Sequence, residues 1–433
     1  MMNTRNTRLA LCATTLLALV TTGARPATSQ DDPKGVQVVP VHPLPTPQPI
    51  GPSVTAVRDI DLAICLDTSG SMQGLLEATK QKLWAIVNDL ALIDPAPRLR
   101  VALLTYGNDG HRAEDGWVRI DTALTEDLDL VSQKLFALST NGGTELVGRV
   151  LDRATTALRW STQPEAMKWI VVAGNESADQ DSTVPFRGAC RRAIGVDILV
   201  NSIFCGPPTH GDAPGWREIA KLADGHYANI DQAQGTVVVE SPFDDQLTAL
   251  STGINATYLA YGVKGRAGSQ NQVAQDLNAS GLNKAASAGR AETKAGKLYF
   301  CDWDLVDVSA REGFVLEDVA EEELPEVMRP MTPAERKLYL EQMRANRGRL
   351  QKEIGALANE RKDWILKQLQ ERGLDESKSF DGALRKALRS QVRAKGFQYP
   401  TAPPAAETQE APSSGQKQEA AGKAAPAERK LGC

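Results

Sequence analysis

The sequence contains few aromatic residues and no excess of positive charge. Of its 433 residues, 5% are Phe, Trp or Tyr, and 49 Lys and Arg stand against 54 Asp and Glu, which gives a formal net charge of −5. Proteins that bind nucleic acid present basic surfaces, and those that bind single strands add aromatic side chains on which bases stack. We therefore expect no nucleic-acid partner.

Cysteine and histidine are also scarce, with six and four residues. No CxxC pair or histidine-rich cluster has the spacing of a zinc site. No Ser lies in a GxSxG context, and the glycine-rich stretches lack the Lys of a phosphate-binding loop. His111 and His210 lie in Gly/Asp-rich loops, where we expect solvated side chains. These absences argue against a zinc protein, a serine hydrolase and a P-loop NTPase.

Only one long apolar run occurs, at residues 9–20, close to the N-terminus. Two arginines precede it and small residues follow, which is the layout of a secretory signal peptide. The run is too short to span a membrane stably. We expect a signal peptide at 1–24, with cleavage after Ala24 or Ala27, and an exported protein, periplasmic or extracellular, whose mature chain has no membrane span.

Short apolar runs alternate with amphipathic stretches from about residue 58 to 262. The predicted strands are 62–66, 101–105, 118–120, 169–173, 198–204 and 227–230, and the predicted helices lie near 75–92, 128–138, 145–158, 186–194, 215–222 and 244–256. This alternation predicts an α/β fold, a doubly wound, mostly parallel sheet with helices on both faces. Such sheets bind ligands at the carboxyl ends of their strands.

Export makes a disulfide a reasonable expectation, because disulfides form outside the cytoplasm. Cys65 alternates within the first strand and is expected to be an inert core residue. Cys190 lies early in a predicted helix and Cys205 ends the following strand, so a right-handed crossover would return both to one sheet edge. Two possibilities stay open: a Cys190–Cys205 disulfide, and two buried free thiols.

The most informative motif is Asp-Thr-Ser-Gly-Ser-Met at 67–72, directly after the first predicted strand. A strand-to-helix turn can direct the Asp67 carboxylate and the Ser69 and Ser71 hydroxyls at one point. Hard divalent cations prefer oxygen ligands of this kind. The alternative is a Ser/Gly-rich turn in which Asp67 is the N-cap of the next helix.

Two further loops follow strands of the same predicted sheet. Asn-Gly-Gly-Thr-Glu at 141–145 combines two glycines, which allow close backbone approach, with the hydroxyl of Thr144. The strand at 169–173 continues into Gly174, Asn175 and Glu176. All three loops are therefore expected at the same edge of the sheet.

Together these loops resemble the metal-ion-dependent adhesion site (MIDAS) of von Willebrand factor type A domains, in which DxSxS is joined by a Thr and by a third-loop Asp. The resemblance implies that Mg²⁺, or Mn²⁺ or Ca²⁺, is bound by Asp67, Ser69, Ser71 and Thr144. The third-loop Asp is missing, since its position falls on Gly174 or Asn175. Asn175 would contribute its amide oxygen, or Glu176 would reach the ion through water, and the lower charge predicts weaker affinity.

The resemblance implies a binding module of the bacterial exported type, not an enzyme. The cation would keep one position open for a carboxylate from a partner protein or peptide. Two other functions stay open: a metal-assisted hydrolase, which needs Glu145 or Glu176 as general base, and a structural or assembly protein of the cell envelope with a degenerate site.

The segments outside the predicted domain differ in composition. Residues 25–57 form a Pro-rich linker, 263–331 a mixed extension that is strand-like at 303–307, and 398–433 a tail expected to be disordered. Residues 332–397 begin with a capping box, Thr332-Pro333-Ala334-Glu335, and predict a long helix.

The long helix carries a seam of apolar residues at steps of three and four, interrupted by Arg347 and Arg361. Three arrangements stay open: a coiled coil through which 332–397 self-associates, a helical hairpin in which 380–392 folds back after Gly373, and a helix packed on the preceding domain.

Overall fold

The computed structural model describes residues 57–230, 238–373 and 380–399. Six strands form one sheet: β1 (Asp59–Asp67), β2 (Arg98–Tyr106), β3 (Arg119–Thr125), β4 (Met167–Gly174), β5 (Leu199–Cys205) and β6 (Tyr227–Ile230). Their order is β3-β2-β1-β4-β5-β6, and every neighbouring pair is parallel except β2 and β3. The predicted doubly wound sheet is confirmed. The expected signal peptide, nearly all of the linker and nearly all of the tail lie outside the described residues.

The centre of the sheet is buried on both faces, which explains its apolar sequence. All nine residues of β1 are buried, and they pair with β2 on one side and β4 on the other. A strand covered on both faces needs apolar side chains in both directions, so Leu62–Leu66 forms a continuous apolar run. This central position places the end of β1 between the ends of its two neighbours.

Helices cover the two faces of the sheet. They are α1 (Gln73–Leu90), α2 (Leu128–Phe136), α3 (Val147–Ala157), α4 (Phe186–Gly195) and α5 (Ala213–Leu222). Helices α1 and α2 contribute to the apolar core on one face, and α3, α4 and α5 contribute to the core on the other. The helices expected in this part of the chain are all present, with ends shifted by a few residues.

Helix α6 (Asp244–Asn255) is the last helix expected in the domain. The extension is helical as well, with α7 (Gly265–Leu282), α8 (Lys284–Ala295), α9 (Leu305–Val308), α10 (Pro333–Glu371) and α11 (Phe380–Ala394). The prediction of a strand at 303–307 is wrong. Asp304 is the N-cap of the short helix α9, and its side chain accepts a hydrogen bond from the Asp307 N–H. Helix α8 packs on α1, where Thr293 Oγ1 donates to Asn88 Oδ1 at 2.6 Å.

Helix α10 packs on the rest of the chain through its apolar seam. Its capping box is present, with Thr332 and Glu335 bonded in both directions. Leu350, Ile354 and Leu357 share an apolar cluster with α6 and α8. Helix α11 packs on α1 and β6, so it does not fold back along α10 as a simple hairpin. Of the three arrangements, the structure shows a helix packed on the preceding domain.

The two arginines of the seam are ion-pair partners. Arg347 Nη1 lies 2.5 Å from Asp304 and 2.6 Å from Asp307, and Arg361 Nε lies 2.7 Å from Asp244. Among the described residues, no helix combines the length and the apolar composition that a membrane span requires.

The structure does not contain the disulfide expected between Cys190 and Cys205, both of which lie in the described chain. Cys190 is a free, buried thiol on α4. It belongs to the core on the α3–α5 face of the sheet, whereas the side chain of Cys205, at the end of β5, belongs to the core on the α1 face. The sheet therefore lies between the two sulfur atoms.

Candidate functional site

The first two predicted loops meet at the carboxyl edge of the sheet. The Asn141 N–H donates to Thr68 O at 2.9 Å, and the Gly70 N–H donates to Gly142 O at 3.0 Å. Asn108, in the loop after β2, adds a bond from its amide to Thr68 O at 3.2 Å. Backbone bonds between loops leave the side chains of these loops available for other contacts.

Asp67 is the last residue of β1 and is 1% exposed, so it lies in the interior and not on a surface turn. Its Oδ1 accepts the Ser69 N–H at 2.8 Å. It does not cap α1, because that helix begins at Gln73 and its N-cap residue is Met72. The hydroxyls of Ser69 and Ser71 lie 3.2 Å apart. Of the two interpretations of the motif, the capping one is therefore wrong.

The third loop approaches the same point through Asn175. Its Nδ2 lies 3.0 Å from Ser71 Oγ, and its Oδ1 lies 3.3 Å from the same atom. Gly174 has no space for a side chain, because a Cβ there would clash with the Tyr106 hydroxyl and Trp216. Of the two residues at which the third-loop Asp could fall, Gly174 and Asn175, it is therefore Asn175 whose side chain reaches the motif. Glu176 is exposed, and its backbone O accepts the Trp216 indole N–H at 2.8 Å.

Thr144 is half-buried next to these residues along the chain. Within the described part of the chain, no hydrogen bond joins its side chain to Asp67, Ser69 or Ser71. Gly142 has a φ of +83°, and a Cβ there would clash with Asp109, whereas a Cβ on Gly143 would meet nothing within 4 Å. Glycine is thus needed at position 142, where φ is positive and a Cβ would clash, but not at position 143.

Glu145 is the site residue that the sequence did not indicate as a ligand. It is 3% exposed and adjoins Asp67. A Cβ on Gly107, whose φ is +76°, would lie 2.6 Å from Asp67 Oδ1 and 3.0 Å from Glu145 Cγ, so glycine is needed where the two acids meet. The signal for Glu145 in the sequence was its place directly after Thr144.

Burial and mutual proximity raise the pKa values of both acids. Burial raises the pKa of Glu145 to about 9, and the charge of Asp67 adds to the effect. Burial also raises the pKa of Asp67 to about 6, although the Ser69 N–H opposes this. The charge of Glu176 raises both pKa values further.

One oxygen of each acid, Asp67 Oδ2 and Glu145 Oε2, is buried without a hydrogen-bond partner among the described residues. Buried polar atoms are rarely left unsatisfied, and each such atom needs an explanation.

These two acids differ from every other buried carboxylate in the described residues, because each of the others pairs with an arginine. The pairs are Asp59–Arg98, Asp61–Arg100, Asp89–Arg389, Asp129–Arg290, Asp181–Arg149, Asp244–Arg361 and Asp304–Arg347. No Lys, Arg or His forms an ion pair with Asp67 or Glu145 in that part of the chain. A positive charge is the partner that this pair lacks.

A divalent cation fits the donor set. Within residues 57–230, 238–373 and 380–399, no group of three or more His, Cys, Asp or Glu is arranged to hold a metal, so a cation would depend on other ligands as well. The two serine hydroxyls and the Asn175 amide oxygen are hard oxygen donors next to the unsatisfied carboxylates, as Mg²⁺, Mn²⁺ and Ca²⁺ prefer.

Of the two loop histidines, His111 is buried, contrary to expectation, whereas His210 is exposed as expected. His111 is 7% exposed, with Nδ1 3.2 Å from Trp117 O and Nε2 3.4 Å from Thr105 Oγ1. His210 is half-exposed and lies over Phe204, with ring centroids 5.7 Å apart. The contacts of His111 hold the loop after β2 together, and His210 adds a ring contact to Phe204.

Residues 61–235 match the family model described as the von Willebrand factor type A domain. No curated protein matches the chain. Similar solved structures include a von Willebrand factor type A protein from Catenulispora acidiphila, with 19% identity and a TM-score of 0.32. The match covers 42% of this chain and 40% of that one, so it spans less than half of each.

Two further similar structures are a VWA domain and a mussel byssus protein. The VWA domain of SpRpn10 has 17% identity and a TM-score of 0.31, with 40% of this chain and 88% of that chain covered. Proximal thread matrix protein 1 from the mussel byssus, described with a zinc-occupied MIDAS motif, has 12% identity and a TM-score of 0.32, with 41% and 43% covered.

Proposed function

Residues 61–235 form a von Willebrand factor type A (VWA) domain, a general protein-interaction module, and we propose that this domain captures its partner through a divalent cation at the carboxyl edge of its sheet. In this proposal the protein binds and does not catalyse. The observation that carries it is the pair of buried acids, Asp67 and Glu145, each with an unsatisfied oxygen and neither with a cationic partner in the described chain.

The charges explain why an ion is expected here. A buried carboxylate without a counter-charge is costly, and every other buried acid of the described chain has an arginine. The proposed ligands are the residues expected from the motif: Asp67, Ser69, Ser71, Thr144, Asn175 and Glu176. Of the two third-loop residues, Asn175 is the one whose side chain contacts Ser71. Bound Mg²⁺, Mn²⁺ or Ca²⁺ would supply a positive charge with one open coordination position.

The open position defines the chemistry of the partner. A carboxylate from a protein or peptide would complete the coordination, and the neutral side chain of Asn175 leaves the ion more electrophilic than a third-loop aspartate would. Cation and partner are therefore expected to bind with positive coupling, each raising the affinity for the other. We also propose that the protein acts after export, in the periplasm or outside the cell.

Calorimetry with Mg²⁺ or Mn²⁺ at millimolar concentration tests the cation site. Asp67→Ala is expected to abolish the binding heat. Asp179→Ala is the control: it removes an acid that is 57% exposed, four residues after Asn175 and paired with Arg187, and it is expected to leave the binding heat unchanged. Asn175→Asp is expected to tighten binding. Because Asp67 is buried, circular dichroism must show that Asp67→Ala keeps its secondary structure.

The partner is tested by capture from envelope extract with and without a chelator. A protein retained by the wild type, released by the chelator and not retained by Asp67→Ala supports the proposal. No heat with either ion, for the wild type and Asn175→Asp alike, would show that the motif is only a structural turn. The protein would then be the alternative, a structural or assembly component.

Self-association through 332–397 is a separate proposal. The apolar seam of α10 is covered by α6 and α8 in the whole chain. An isolated 332–397 segment loses that cover, so we expect it to form oligomers in sedimentation experiments, while the whole chain does not associate through this face. A monomeric isolated segment with little helical signal would contradict this.

A further inference from the structure

We propose that Glu145 supplies the second negative charge of the cation site, in place of the aspartate that the third loop lacks. The inference rests on the proposed function, because it assigns a ligand to the same site. It also changes an expectation from the sequence: a site with two acids is not short of charge, and its affinity for the free ion need not be weak.

The geometry brings Glu145 to the site from the second loop. Glu145 lies two residues before α3 begins, and the loop that carries it is bonded to the first loop through Gly70 and Gly142. Its side chain adjoins Asp67, since both flank the space that a Cβ on Gly107 would fill. The acid therefore reaches the end of β1 from a different loop than Asn175 does.

Among the described residues, the polar partners of the Glu145 carboxyl group are the side chains of Asp67 and Ser69, and no cationic side chain pairs with it. The nearest arginine along α3, Arg149, is already paired with Asp181 at 2.8 Å and packs against Gly116. Glu145 is 3% exposed, so water does not solvate it, and its Oε2 has no hydrogen-bond donor in the described chain. An acid in this setting fits a bound cation better than it fits a purely structural role.

The third loop cannot provide the second charge. A side chain at Gly174 would clash with Tyr106, and the amide of Asn175 is neutral and contacts Ser71 Oγ. Glu176 carries a charge, but its side chain is exposed, where water screens it. The site thus has one exposed acid at its rim and two acids in its interior.

A structural explanation of Glu145 makes a different prediction. If its only role were to hold Asp67 by a hydrogen bond, glutamine would serve as well, because its amide donates to a carboxylate and has nearly the same shape. If Glu145 is a ligand, glutamine keeps the shape and loses the charge. Glu145→Gln therefore separates the two roles.

The experiment measures Mg²⁺ affinity by calorimetry and the melting temperature of the full chain with and without Mg²⁺. Glu145→Gln is expected to weaken Mg²⁺ binding at least about tenfold. Asp179→Asn, which removes the charge of an exposed acid that is not among the proposed ligands, is expected to alter it less than about threefold. The double variant Glu145→Gln, Asn175→Asp moves the acid to the third loop and is expected to recover most of the affinity.

The metal-free melting temperatures give an independent readout. Metal-free Glu145→Gln is expected to melt at or above the wild type, because one of two adjacent buried acids has gone, and to lose most of the Mg²⁺-induced increase. A metal-free variant that melts well below the wild type would overturn the inference, since the carboxyl group of Glu145 would then stabilise the fold without a cation, in a way that glutamine does not replace.

Two other results would also overturn it. Mg²⁺ affinity within about threefold of the wild type for Glu145→Gln would remove Glu145 from the ligands and leave the proposed function intact. Equal losses for Glu145→Gln and Asp179→Asn would indicate a general effect of charge and no specific ligand. A wild type that binds no Mg²⁺ would overturn the inference and the proposed function together.

Discussion

Asp129 and Arg290 form an ion pair in the interior of the protein, with 2.7 Å between Oδ1 and Nη2 and side-chain exposures of 4% and 1%. Asp129 belongs to α2 of the VWA domain, whereas Arg290 belongs to α8 of the extension. The guanidinium also lies over the rings of Trp84 and Tyr299. The extension is therefore part of the core on the α1 face of the sheet.

Asp129→Asn is expected to lower the free energy of unfolding by about 3–5 kcal/mol, because it leaves the Arg290 guanidinium buried with part of its counter-charge removed. Urea denaturation followed by tryptophan fluorescence measures this. Asp302→Asn is the control: its partner Lys264 lies 2.8 Å away, but both side chains are more than half exposed. The control is expected to cost less than about 1 kcal/mol. Equal effects of the two variants would contradict the prediction.

Lys294 is expected to make the free energy of unfolding depend on pH, and the sign of that dependence follows from its pKa. It is buried among Asp276, Asn255 and Arg290, and burial lowers its pKa to about 8 from the ordinary 10.5. Between these values the unfolded chain binds more protons than the folded one. The contribution of Lys294 to stability therefore rises with pH from about 8 to 10.5.

Comparison with Lys294→Met isolates this contribution. The difference in unfolding free energy, wild type minus variant, is expected to increase with pH across that window by at most about 1.4 kcal/mol per pH unit. Titration of other groups, including the buried tyrosines, cancels in the difference to the extent that the substitution leaves them undisturbed. A difference that stays flat or falls between about pH 8 and pH 10 would refute the assignment.

The seam of α10 is expected to stabilise the whole chain. Ile354→Ala removes a side chain with no exposed surface and is expected to cost about 2–5 kcal/mol. Leu338→Ala, on the same helix but at a side chain that is 57% exposed, is expected to change stability by no more than about 0.5 kcal/mol. Unfolding in urea measures both, and similar losses for the two would show that α10 is not docked as described.

The two glycines of the second loop are expected to respond differently to alanine. Gly142→Ala forces a side chain into a φ of +83° and against Asp109, so it displaces the loop that carries Thr144 and Glu145. We expect a lower melting temperature and at least about tenfold weaker Mg²⁺ binding. Gly143→Ala meets open space and should be tolerated in both measurements. Tolerance of alanine at both positions would mean that loop geometry does not control the site.

Much of the fold follows from local signals in the sequence. The continuous apolar run in β1 indicated a central buried strand, because only side chains covered on both faces can be apolar in succession. The capping box of Thr332 and Glu335 predicted the start of α10, because capping depends on residues three positions apart. Asp67, Ser69 and Ser71 were identified for the same reason: their spacing within one turn determines that they converge.

Local signals were insufficient to predict the structure where the same sequence pattern fits two conformations. Residues 303–307 alternate like a strand, yet Asp304 caps a short helix, because its carboxylate is held at once by the Leu259 N–H, the Asp307 N–H and Arg347. Leu259 and Arg347 are distant in sequence. The position of Cys190 relative to Cys205 likewise depended on which face of the sheet α4 covers.

The sequence by itself determined the α/β class, the order of strands and helices from about residue 58 to 262, and the convergence of three loops at one edge of the sheet. The periodicity of apolar residues and the chemistry of turns are local properties, so they can be recognised without the tertiary structure. Only the tertiary structure decided that the arginines of the α10 seam pair with acids of α6 and α9, and that Glu145 joins Asp67 in the interior. Burial and pairing of charge depend on which distant residues become neighbours. Spacing along the chain does not encode that, because the cost of a buried charge is set by everything that surrounds it.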